Sequence, residues 1–209
     1  GIDIVFAVDI SKSMLAEDVA PNRLEKTKQI VSQIINQLGN DRVGIVGYAG
    51  SAYPVLPMTT DYSIAKMYLQ SMNTNMVSSQ GTAFNDAIQL AVDFFDVKDT
   101  SKLIILISDG EDHGEGAEDA IEMAKEKGVR ILTIGVGTEK GGPIPLRDDK
   151  GTIVSYKKDS EGQTVTTKLY PEVLKNIADK TKSKYIVGTS TKEVVEELKK
   201  SLDKIEKSE

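Results

Sequence analysis

The run Leu103-Ile104-Ile105-Leu106-Ile107 has no polar member. As a strand it would point apolar side chains to both sides of its sheet, so both faces must be covered. Ile2-Asp3-Ile4-Val5-Phe6-Ala7-Val8 reads almost the same way. Two strands of this kind require helices above and below a largely parallel sheet. The chain supplies them. Leu24, Ile30, Val31, Ile34, Ile35 and Leu38 form an apolar stripe at helical spacing, closed by Gly39. Further helices are predicted over Ile64–Met72, Ala83–Phe95, Ala117–Lys127, Leu174–Lys180 and Lys192–Ile205. The remaining strands are predicted at Val43–Tyr48, Tyr53–Leu56, Val129–Val136 and Lys184–Val187. Ala49-Gly50-Ser51 reads as the tight turn of a hairpin. The alternation predicts a three-layer α/β fold: a doubly wound, mostly parallel sheet with one antiparallel edge strand and helices on both faces.

Residues 138–168 interrupt the alternation with Gly141-Gly142-Pro143-Ile144-Pro145 and two short β-prone stretches, Ile153–Tyr156 and Thr164–Thr167. The expectation is one domain over 1–209 carrying a surface insertion with a two-stranded hairpin; a partner-binding flap is the functional alternative. At 209 residues roughly 70% of the unfolded surface can be buried, enough for a core without staples.

Composition removes several function classes. There is no cysteine, which excludes thiolate metal sites, and a single histidine, His113, which disfavours zinc enzymes and Ser-His-Asp hydrolases. A net charge of -6 argues against a nucleic-acid face, and the absence of Trp against a stacking platform. No stretch approaches the roughly 20 apolar residues that span a bilayer, and the chain opens on a strand rather than a leader, so it reads as a soluble domain with any anchor outside it.

The chemistry concentrates where the sheet should bind ligands, at the carboxyl ends of its strands. Asp9-Ile10-Ser11-Lys12-Ser13 follows the first strand, Ser108-Asp109-Gly110 follows the central one, and Gly81-Thr82 precedes a helix. The first and central strands should be neighbours at the switch point, so Asp9, Ser11, Ser13, Thr82 and Asp109 can converge on one ion. Every donor is an oxygen, which suits a hard cation such as Mg2+, with ligands at roughly 2.0–2.1 Å and retained waters. Two carboxylates balance a divalent charge, and an exchangeable water position leaves room for a carboxylate from another protein. Taken singly, the same residues could be helix and turn caps, Thr82 as an N-cap and Asp109-Gly110 as a turn. Met14, Glu111 and Asp112 are candidate rim residues. Leu15, Tyr53 and His113 belong to the same mouth, although Met14 and Leu15 could equally pack against the first helix.

Asp9-x-Ser11-x-Ser13, Thr82 and Asp109 together resemble the metal-ion-dependent adhesion site of von Willebrand factor type A domains. The resemblance implies hydroxyl ligands from Ser11, Ser13 and Thr82, with Asp9 and Asp109 acting directly or through water. It implies Mg2+, or Mn2+ or Ca2+, and a protein partner rather than a substrate. A narrower resemblance rests on Ser11-Lys12-Ser13-Met14-Leu15-Ala16-Glu17-Asp18, Pro21-Asn22-Arg23-Leu24 and Pro143-Ile144-Pro145. These are similar to the Bat (Bacteroides aerotolerance) group, the BatB type in particular. That implies a domain held between membrane-spanning segments of an inner-membrane protein, facing the periplasm, with a role in oxidative-stress tolerance. The rival enzyme reading takes Asp9 as a phosphatase or phosphotransferase nucleophile. Such chemistry usually places a general acid two residues on, and that position is Ser11. A nucleotide site on Gly135-Val136-Gly137 lacks the rest of a Gly-rich fingerprint.

Overall fold

The structure is a computed structural model, described over residues 1–76, 83–111 and 116–207. The chain runs β1 (Ile2–Asp9), a 3-10 turn (Lys12–Leu15), α1 (Arg23–Asn36), β2 (Arg42–Tyr48), β3 (Ala52–Thr59), α2 (Tyr62–Ser71), α3 (Phe84–Asp93), β4 (Ser101–Ser108), α4 (Glu118–Glu126) and β5 (Val129–Gly135). Four short strands follow: β6 (Gly142–Pro143), β7 (Pro145–Arg147), β8 (Ile153–Tyr156) and β9 (Thr166–Thr167). The chain continues through α5 (Pro171–Lys180), β10 (Tyr185–Val187) and α6 (Thr191–Lys207).

The main sheet has the order β10-β5-β4-β1-β2-β3, parallel except for β3 against β2. Every residue of β1 is buried. Ile4, Phe6 and Val8 join the core under α1, α2 and α6, while Val5 and Ala7 join the core under α3, α4 and α5. This alternation explains the strand's lack of a polar face: each side has its own helical cover. The hairpin strand runs longer than the sequence suggested, through Pro54 and Pro57. It does so because β3 is an edge strand, where a missing N–H need not interrupt the ladder.

Local chemistry sets the helix ends. The Asn22 side chain accepts from Glu25 N at 2.8 Å to start α1, and Asp61 accepts from Ile64 N at 3.1 Å to start α2. The N-cap of α3 is Ala83, which has no capping side chain.

The insertion differs from the single hairpin expected. Ile153–Tyr156 pairs back onto Pro145–Arg147, and Thr166–Thr167 pairs with Gly142–Pro143. The two pairs nest, one inside the other. The β propensity was legible, but the pairing depends on Gly141, whose φ of +73° turns the chain where a side chain would meet Thr167 O at 2.2 Å.

The order of the sheet positions the site. From β1 the chain winds outward to β2 and β3; from β4 it winds the other way to β5 and β10. β1 and β4 are therefore the pair across which the winding reverses. Their register ends at Val8 opposite Ile107, which places Asp9 beside Ser108 and Asp109.

Candidate metal centre

Asp9 closes β1 with no exposure to solvent. Its Oδ1 accepts from Ser11 N at 2.9 Å and from Ser11 Oγ at 2.6 Å, and its Oδ2 accepts from Ser108 Oγ at 2.7 Å. The chain then bends into the 3-10 turn, with Met14 N donating to Ser11 O at 3.0 Å. That turn presents Ser11 and Ser13 side by side, Oγ to Oγ 3.1 Å. Ser13 Oγ donates to Asp109 Oδ2 at 2.5 Å. Asp9, Ser11, Ser13 and Asp109 thus form one continuous arc of oxygens.

The loop after β4 is held just as tightly. Gly110 N donates to Ser108 Oγ at 2.9 Å, Glu111 N donates to Asp109 Oδ1 at 3.0 Å, and Tyr170 N donates to Asp109 O at 2.8 Å. Gly110 adopts φ +76°, and a Cβ there would lie 1.9 Å from Tyr170 O. The glycine of Ser108-Asp109-Gly110 is therefore required twice, by backbone conformation and by space.

Both carboxylates are fully buried, whereas Ser11 and Ser13 keep 5% and 6% exposure. The hydroxyls form the lip and the carboxylates the floor. Burial, then the neighbouring charge of Asp109, push the Asp9 carboxyl up to about 7, against the hydrogen bonds from Ser11 and Ser108. Tyr48, the register partner of Asp9 on β2, is also fully buried, and burial and the Asp9 charge hold its phenol well above the ordinary range.

One residue was absent from the candidate set. Arg23, the first residue of α1, is fully buried. Its Nη1 donates to Asp109 Oδ2 at 3.0 Å and to Thr167 Oγ1 at 3.0 Å; its Nη2 donates to Thr167 O at 2.9 Å. Its Nε and Nη2 grip Asp18 in a fork, both at 2.8 Å. Asp18 Oδ2 also accepts from the backbone N and the hydroxyl of Thr138, each at 2.9 Å. Burial would favour loss of the Arg23 proton, but the bonds and charges of Asp18 and Asp109 outweigh it and hold the group above its usual value. Burial likewise opposes the Asp18 charge, and Arg23 overrides it, keeping that carboxyl below its usual value. The charge count therefore includes a cation and a third carboxylate: Arg23 and Asp18 offset one another, leaving Asp9 and Asp109 for a divalent ion. The sequence signal was an arginine at the start of an otherwise amphipathic helix, five residues after an Asp.

Met14 does not stand at the rim. It is fully buried in the core, its side chain directed inward from the turn that follows Ser11. Tyr53 is half-buried and packs against the same core. Glu111 is half-buried next to the loop. Thr82, Asp112 and His113 lie outside the described residues.

The donor set fits a hard divalent cation: two carboxylates and two hydroxyls, all oxygens, with charge repulsion between the carboxylates that a cation would relieve. Among the described residues no group of three or more His, Cys, Asp or Glu side chains is placed to bind a metal, so hydroxyls would have to complete the set.

Comparison with known proteins agrees with this architecture. The family model for the von Willebrand factor type A domain matches residues 3–201. The chain belongs to the von Willebrand factor type A family. Among solved structures, the conserved hypothetical protein BatB of Bacteroides thetaiotaomicron is 39% identical, with TM-score 0.93 over 99% of this chain and all of that one. An aerotolerance-related membrane protein of Bacteroides fragilis is 35% identical, with TM-score 0.91 over 98% of this chain and all of that one. A UPF0353 protein of Mycolicibacterium paratuberculosis is 33% identical over 159 residues, 70% of this chain and 48% of its own length. The chain spans about half the length of these curated relatives. Type A domains are generally interaction modules rather than enzymes, and many hold a divalent metal at this sheet edge.

Proposed function

We propose that this type A domain binds a partner protein through a divalent cation, held by Asp9, Ser11, Ser13 and Asp109 together with Thr82. Mg2+ is the ion favoured, with Mn2+ and Ca2+ accepted. The observation that carries the reading is the unbroken arc from Asp9 Oδ1 through Ser11 and Ser13 to Asp109 Oδ2, at successive spacings of 2.6, 3.1 and 2.5 Å. A bound cation would supply Lewis acidity toward one more oxygen anion, and the partner's carboxylate is the group proposed to provide it. The protein's own residues hold the donors in place: Ser108 orients Asp9, and Arg23 orients Asp109.

The reading is non-catalytic. Both oxygens of Asp9 already accept hydrogen bonds, and the residue two positions on is a hydroxyl with no acid to donate. The Asp9-nucleophile phosphatase reading therefore gains no support from the geometry.

No helix among the described residues is long and apolar enough to cross a membrane. The similarity to BatB and to an aerotolerance-related membrane protein supports placing the domain in an inner-membrane protein, anchored by segments beyond this stretch and facing the periplasm. The domain is proposed to span 1–209, with 138–168 as its insertion. The test is capture of envelope proteins by the full-length protein in Mg2+ and in chelator. A partner retained only in Mg2+, and lost with Asp9→Ala plus Ser11→Ala in a folded protein, is expected. Retention unchanged in chelator contradicts the proposal.

A further inference from the structure

A groove of about 610 Å3 begins at the metal loop and runs between that loop, the start of α1, the segment after α2 and the β7–β8 hairpin. That volume lies inside the range of roughly 300–1,000 Å3 typical of ligand-holding clefts. Its floor is aliphatic: Leu15, Leu24, Met72 and Ile144 line it, and Leu146 lines its wall with 42% of its surface exposed. Its ionic groups are biased. Lys12, Lys28, Arg147 and Lys157 line it against one acid, Glu25, on a chain whose net charge is -6. Lys28 pairs with Glu25 at 3.1 Å, and Arg147 pairs with Glu17 at 2.9 Å. Lys12 reaches Thr74 Oγ1 and Asn75 Oδ1 at 3.2 and 2.7 Å, and Lys157 is exposed at the rim.

The geometry points to a peptide subsite: the groove takes the segment of a partner protein that flanks the carboxylate offered at the metal centre, and that segment is acidic and aliphatic. The inference rests on the metal-dependent reading above and names what the same face selects. Lys12, between Ser11 and Ser13 in the chain, and Leu15 line the groove, so it starts on the loop that carries the two serines. The proposed partner segment, with one carboxylate at the site, continues past Lys12 into the groove. There it meets the exposed Leu146 side chain, which an inorganic anion or a lone carboxylate would leave uncovered, and a rim whose cations outnumber its acids. Charge complementarity on this rim steers an acidic segment and rejects a basic one.

The probes are two fluorescent pools of short peptides around an invariant Glu, one flanked by Asp, Glu, Leu and Ile, the other by Lys and Ser. Binding is read by anisotropy in Mg2+ and in chelator, to the protein and to two separate variants, Lys157→Glu and Leu146→Ser. Neither residue belongs to the metal set, and Mg2+ affinity measured on each variant verifies that the centre is intact. The expected result is Mg2+-dependent binding of the acidic–aliphatic pool, weakened about tenfold by either variant, with the basic pool bound far more weakly. Equal affinity of the acidic–aliphatic pool for the protein and both variants overturns the groove while leaving the metal reading intact. Binding weakened by the variants but indifferent to chelator keeps the groove and overturns the metal reading. Failure of the protein to bind either pool overturns the subsite. So does binding of the protein to phosphatidylglycerol vesicles that Lys157→Glu abolishes while peptide binding is unaffected, because that outcome assigns the rim to a lipid surface.

Discussion

Arg23 shows how much of the site hangs on a single side chain. It is buried, it is the only cation touching Asp109 among the described residues, and four of its contacts reach Asp18 or Thr167. Arg23→Met would leave two carboxylates without their counter-charge, and removing one partner of a buried ion pair costs about 3–5 kcal/mol. Denaturant unfolding should register that loss. Arg23→Lys should recover part of the stability but not the fork on Asp18, since an ammonium cannot donate in parallel.

Asp9 gives a pH prediction with a definite sign. Its carboxyl has an ordinary value of 3.8 and is pushed to about 7 in the fold by burial and by Asp109. Below the ordinary value it is protonated in both folded and unfolded chains, and the fold carries no penalty. Between the two values only the unfolded chain ionises, so stability falls as pH rises, by at most about 1.4 kcal/mol per unit. Above about 7 the folded form ionises too and the loss levels off. In chelator, the protein should therefore lose more stability between about pH 5 and about pH 7.5 than Asp9→Asn does, and Mg2+ should cancel the difference. Parallel pH curves for the two proteins in chelator would contradict the assignment.

At the scale of elements, the loop after β4 depends on Gly110. Gly110→Ala places a Cβ 1.9 Å from Tyr170 O on a backbone of φ +76°, and the left-handed conformation alone costs about 1–2 kcal/mol. The variant should be less stable by about 2 kcal/mol or more and should bind Mg2+ more weakly, because Asp109 moves with the loop. A glycine kept only for flexibility would show neither effect. The elements themselves were largely readable from sequence. β1 and β4 announced themselves by lacking a polar face, and α1 by its apolar stripe. What was not readable has a common cause: it depends on long-range contact. The pairing of β6 with β9 joins Gly142 to Thr167, and the Arg23 network joins residues 18, 23, 109, 138 and 167. No local period or motif encodes such contacts. Met14 misled for the opposite reason, since its neighbours Ser13 and Leu15 suggested a loop side chain, while the 3-10 turn rotates it into the core.

At the scale of the molecule, the insertion is tied to the candidate metal centre rather than appended to the surface. Thr138 and Thr167, at its two ends, both bond into the Asp18–Arg23 pair, and Arg23 continues to Asp109. Stability and ion binding should consequently be linked. A ligand held only by the folded state at one hundred times its Kd contributes about 2.7 kcal/mol, which for a chain of this size raises the melting temperature by about 5–10 °C. Thermal melts in saturating Mg2+ and in chelator should differ by that amount, and the difference should shrink in Asp109→Ala.

The central claim is that the arc of Asp9, Ser11, Ser13 and Asp109 holds a divalent cation. Isothermal titration of Mg2+ into the chelator-stripped protein tests it most directly. One saturable site per chain is predicted, lost in Asp9→Asn and weakened at least about tenfold in Ser13→Ala, with both variants folded by circular dichroism. Absence of a saturable site, or the same affinity in both variants, would contradict it.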